Sequence, residues 1–94
     1  MSASRTGEIE ALRERIEHLD RSLLETVAER VALARRIGDA KQQAASATLD
    51  TGREAAVIRR AVESGRRLGL PEEPVRQLFW TLVGLCRSAQ LEER

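Results

Sequence analysis

Apolar residues in the first half of the chain recur at alternating steps of three and four: Ile9, Leu12, Ile16, Leu19 and Leu23. That spacing keeps one stripe of an α-helix apolar. The stretch from residue 8 to about residue 45 holds no proline and only one glycine, so it reads as a single helix. At ~1.5 Å per residue such a helix runs to roughly 55 Å. A compact chain of this size has a radius of gyration of about 13 Å and a diameter of about 33 Å. One copy of the chain therefore cannot cover its own longest helix.

Continuing the count beyond Leu23 lands on Thr26, Arg30, Leu33, Ile37 and Ala40, which puts an arginine on the apolar stripe. Burying a guanidinium without a partner costs several kcal/mol, so Arg30 needs an anion, either a side chain or a ligand. Lys41 follows about three turns later, within ~20° of Arg30 around the helix and roughly 16 Å along it. Two extended basic side chains at that separation can converge on a small polyanion. Arg13 is a third candidate, but it lies about 25 Å from Arg30 along the same helix. A second, antiparallel copy would bring it in: a two-fold axis near Leu23 or Leu24 sets the partner's Arg13 level with residues 34 to 35, between Arg30 and Lys41. A closed symmetric dimer is also the commonest oligomer.

Residues 1–7 form a short polar arm, expected to be disordered, which leaves residues 8–94 as one helical domain. Residues 46–49 are a small uncharged connection. Asp50 and Thr51 both offer helix N-caps, and Thr51-Gly52-Arg53-Glu54 fits a capping box. A second helix is predicted to about residue 68, burying Ile58, Ala61 and Val62, with Gly65 or, preferably, Gly69 as its stop. The third runs from about residue 72 to 91, with Glu72 and Glu73 in its first turn. Val75, Leu78, Phe79, Leu82, Val83, Cys86 and Ala89 share its broad apolar face, and Gln90 extends that stripe. The expected architecture is all-α: three helices per chain, one very long, in an intertwined homodimer.

Composition narrows the function classes. Sixteen basic and fifteen acidic residues leave a net charge of +1, and their mixing along the chain gives no field that captures nucleic acid. No apolar run reaches membrane-spanning length and the first residues lack the apolar core of a signal peptide, so a cytosolic location is expected. One cysteine, Cys86, and one histidine, His18, supply neither an intramolecular disulfide nor a metal cluster.

Each polar candidate has a bland reading. Arg30 can be neutralised by Glu29 or a partner glutamate, Glu54 can be the far half of a capping box, and Gln90 can be a surface residue near the end of the chain. As an ordered set, Arg13, Arg30, Lys41, Asp50, Arg53, Glu54 and Gln90 resemble the pattern of the all-helical AroQ class of chorismate mutases. The carriers are IEALRERIEHLDRSLLETVAER, ARRIGDAK, LDTGRE and LFWTLVGLCRSAQ, which together span roughly residues 8 to 92. The resemblance implies that Arg13 of the partner subunit and Arg30 hold the two carboxylates of chorismate, a task suited to fork-shaped donors. It implies that Lys41 contacts a carboxylate and the ether oxygen, that Gln90 donates its amide N–H to that oxygen, and that Glu54 and the main chain at Asp50 bind the ring hydroxyl. Arg53 would line the carboxylate side. Cys86 stands where the family commonly has a serine, and a thiol is the weaker donor.

The implied reaction, chorismate to prephenate, is a pericyclic rearrangement that needs no nucleophile, base, metal or other cofactor, in keeping with a sequence that has no recognisable triad or ligand cluster. Two related activities share the pattern. An isochorismate-pyruvate lyase lacks the acid after the loop arginine, so Glu54 favours the mutase. An aminodeoxychorismate mutase fits Glu54 as well, because a carboxylate accepts from a hydroxyl or an ammonium, and Cys86-Arg87 is similar to such sequences. A non-catalytic helical dimerisation or regulatory module would explain the apolar stripe, but not Arg30 on it or Lys41 in phase with it. By resemblance alone, a separate enzyme of the shikimate pathway is a further partner to expect.

Overall fold

The computed structural model describes residues 2–44 and 50–92. Its helices, in chain order, are α1 (Ser2–Gln43), α2 (Thr51–Arg67) and α3 (Glu72–Glu92), and the described residues contain no β-strand. Helical backbone is continuous from Ser2, so the 42 residues of α1 run through the segment that apolar spacing alone left outside the helix. The connection expected over residues 46–49 lies outside the described residues. No helix among those described is long and apolar enough to cross a membrane.

The ends of α2 follow from local chemistry. Asp50 is its N-cap, with extended backbone, and its side chain accepts from the Arg53 N–H at 3.0 Å. Thr51 is therefore the first helical residue rather than the cap, and the Thr51–Glu54 capping box does not form. That shift by one position leaves the Glu54 carboxylate available for a different partner. At the other end Gly69 takes φ 78°, a conformation that costs a glycine little and other residues more. The Leu70 and Gly69 N–H groups then bond back to the carbonyls of Gly65 and Arg66 at 2.8 and 3.0 Å. An exposed Arg66–Glu72 ion pair bridges the turn into α3.

α3 packs against both α1 and α2, whereas the Cα atoms of α1 and α2 stay more than 8 Å apart. Contacts from Glu54 to Arg87 and from Gly65 to Val75 make α2 antiparallel to α3. Contacts from Arg30 to Cys86 and from Gly38 to Gln90 make α1 run in the same direction as α3. The core is small: Ile58, Val62 and Val83 are buried together, with Val57 and Phe79 packed on them. Ala34, Val75, Cys86 and Ala89 are also buried. Leu78, expected on the same buried face, is exposed in the single chain, as is most of the apolar stripe of α1, from Ile9 at 48% to Leu19 at 68%. The chain measures 65 × 25 × 15 Å, with a radius of gyration of 18.0 Å. A compact chain of this length would have about 13 Å, so the outer half of α1 projects beyond the part that packs.

Candidate active site

A cavity of about 380 Å³ opens where the C-terminal half of α1, the start of α2 and the last turns of α3 meet. Its size falls within the usual range for small-molecule sites. Of the residues singled out in the sequence, α1 contributes Arg30 and Lys41, the α2 entry contributes Asp50, Arg53 and Glu54, and α3 contributes Cys86 and Gln90. Leu33, Ile37, Val57 and Val83 supply apolar wall between them.

Arg30 and Lys41 share the cavity because eleven residues are close to three full turns, which returns the side-chain direction to the same face. Arg30 is half-buried, and its Nη1 donates to Cys86 Sγ at 2.8 Å. The sulfur takes up one donor of Arg30, and the guanidinium stands at the cavity wall. Cys86 itself is only 5% exposed. Gln90 is set by a close approach of backbones: α1 presents Gly38, whose missing side chain leaves room for α3. A Cβ at Gly38 would stand 3.0 Å from the Gln90 carbonyl oxygen and 3.2 Å from its Cβ.

Glu54, freed from the capping role, pairs with Arg87 through two parallel hydrogen bonds. Arg87 Nε donates to Oε2 at 3.0 Å, and Arg87 Nη2 donates to Oε1. Hydrogen bonding from Arg87, reinforced by its charge, holds the Glu54 carboxyl below the ordinary glutamate range against the opposing effect of burial. Sequence reasoning had not placed Arg87 at the site. It follows Cys86 directly and has no periodic signal of its own; its partner is 33 positions away and reaches it only because α2 and α3 are antiparallel.

Arg13 is the one candidate that does not join the others. It is exposed on the outer half of α1, pairs with Glu10 at 3.3 Å, and does not line the cavity. The sequence reading expected this separation within one chain.

Four cationic side chains, Arg30, Lys41, Arg53 and Arg87, and two carboxylates, Asp50 and Glu54, line the cavity, a formal charge of +2. These features make an all-helical cavity of net positive charge, with ammonium, guanidinium and amide groups set around an apolar wall. Residues 12–91 match the family model of chorismate mutase type II, and the chain belongs to that family. No curated protein matches the chain in direct sequence comparison. The family's activity is the isomerisation of chorismate to prephenate, and chorismate is its substrate.

Proposed function

We propose that this cavity is the site at which the chain rearranges chorismate to prephenate, and that a second copy of the chain completes it. The observation that carries the reading is the meeting of Arg30, Lys41, Glu54 and Gln90, from three helices, around one cavity. Breaking and forming bonds in one pericyclic step calls for a group that holds the substrate and a group that stabilises shifting charge. Arg30 and Arg13 of the partner subunit bind the two carboxylates and select the compact reactive conformer from a flexible population. Arg53 adds positive charge to the same cavity, and Cys86 lies against Arg30.

As the carbon–oxygen bond lengthens, negative charge grows on the ether oxygen. Lys41 and the Gln90 amide N–H act there as donors fixed in advance, so little reorganisation is needed in the transition state. Glu54 accepts from the ring hydroxyl, and the main chain at Asp50 shares that contact. The dimer is supported by the exposed stripe of Ile9, Leu12, Ile16, Leu19 and Leu23, a larger apolar surface than a stable monomer ordinarily leaves open. Action in the cytosol, within aromatic amino acid biosynthesis and alongside another enzyme of that pathway, completes the reading.

The test is an assay of purified protein that follows both loss of chorismate and appearance of prephenate. Lys41→Ala and Gln90→Ala should each lower kcat by about 10²–10³, the usual effect of losing one transition-state donor. Variants that fold and turn over like the wild type would place the chemistry elsewhere.

A further inference from the structure

The Glu54–Arg87 pair is not explained by holding and polarising the substrate. Glu54 is the only carboxylate on the first turn of α2, and its two oxygens are both engaged by one guanidinium. The side chains are 18% and 37% exposed, so the pair lies at the cavity wall rather than in open solvent. Carboxylate and guanidinium together present almost no net charge. The remaining lone pairs of Glu54 still accept a hydrogen bond, because each carboxylate oxygen has more than one acceptor site.

We propose that Arg87 is a specificity-determining residue: by clamping Glu54 it makes this end of the cavity an acceptor for a neutral hydroxyl and a poor site for an ammonium in the same position. The inference rests on the reading of Glu54 as the group that meets the substrate ring, and it sets the contact Arg87 makes with Glu54 against the likeness of Cys86-Arg87 to aminodeoxychorismate mutases. A protonated ring amine would need an uncompensated anion when it leaves water. Here it finds a carboxylate already paired with Arg87, in a cavity that Arg30, Lys41 and Arg53 also line.

The experiment compares kcat/KM for chorismate and for 4-amino-4-deoxychorismate at neutral pH in the wild type, Arg87→Lys and Arg87→Gln. The lysine keeps the charge beside Glu54, and the glutamine keeps a hydrogen-bond donor while removing the charge. Wild type and Arg87→Lys should prefer chorismate. Arg87→Gln should move the preference toward the amine by on the order of tenfold to a hundredfold, the scale of one charge several ångströms away in a partly screened site. Most of that change should appear in KM, because the ring substituent carries its charge in both ground and transition states. Equal preferences in Arg87→Gln and Arg87→Lys, or a wild type that prefers the amine, would overturn the proposal while leaving the cavity as the active site. Should Arg87→Gln fail to fold, Glu54→Gln carries the test: it strips the anion from the pair and must shift preference further toward chorismate, and an unchanged ratio would overturn the proposal. A wild type inactive on both substrates would instead remove the functional reading, and this inference with it.

Discussion

Gly38 of α1 and Gln90 of α3 meet where only a hydrogen atom separates the two backbones: a Cβ at position 38 would stand 3.0 Å from the Gln90 carbonyl oxygen. The contact fixes how far α3 sits from α1, and with it where the amide proposed for the ether oxygen ends up. Gly38→Ala sets two effects against each other. Alanine raises helix propensity by ~0.8–1 kcal/mol, while forcing extra volume into a packed contact costs about 1–3 kcal/mol. Net stability should fall by roughly 0–2 kcal/mol in urea titrations. Turnover should fall by severalfold, since the neighbour must give by a few tenths of an ångström and catalytic geometry is sensitive to small misplacement. A variant with wild-type kcat would show that the approach does not position Gln90.

Acid should act on the Glu54–Arg87 pair. Pairing lowers the Glu54 pKa in the folded state, so its contribution to stability is fully present above the ordinary glutamate value of about 4.3. That contribution is lost as pH falls through the lower folded-state value. Removing the guanidinium in Arg87→Leu should therefore cost stability at pH 6–7, with the gap to wild type closing as the pH falls below about 4. Unfolding curves collected from pH 3 to 7 measure this directly, and a gap that stays constant across the range would contradict it.

At position 90 the proposed donor is an amide, which needs no proton, so the wild type should not lose turnover between pH 6 and 8. Gln90→Glu should introduce such a loss. A carboxylic acid donates only while protonated, and Lys41 in the same cavity would push its pKa down. Turnover of that variant should therefore fall as pH rises, and a flat kcat profile would remove Gln90 from the role of ether-oxygen donor.

Cys86 lies against Arg30, with its sulfur accepting from Nη1 at 2.8 Å. Cys86→Ser puts a stronger donor and acceptor at the same point. A hydrogen bond to a charged group is worth about 1.5–3 kcal/mol at most, and the substrate carboxylate is charged throughout the reaction. The benefit should therefore appear as a lower KM with kcat changed by less than about twofold. Abolished turnover in a folded Cys86→Ser protein would give the thiol a role absent from this account.

The register of α1 was legible because periodicity reports directly on which side chains share a face: Arg30 and Lys41 reach one cavity as their spacing requires. The cap of α2 was not. Asp50 and Thr51 both satisfy the local pattern, and the choice of Asp50 shifts the helix by one residue and turns Glu54 toward α3. Arg87 and Gly38 were invisible for a related reason. Each matters through a residue on another helix, at Glu54 and Gln90, and the sequence carries no trace of the distance between helices. A glycine inside an otherwise regular helical stretch was the one signal available for Gly38.

The central claim, one cavity completed by a second chain, is tested most directly by mixing two inactive variants. Arg13→Ala and Lys41→Ala chains are denatured, combined in equal amounts and refolded, and chorismate turnover is measured. In a mixed dimer one site receives both lesions and the other receives neither. Random pairing of the two chains puts half of the protein in mixed dimers, so activity should return to roughly a quarter of the wild-type value. A mixture that stays as inactive as its two components, with dimers present by sedimentation, would mean that Arg13 does not act across the interface.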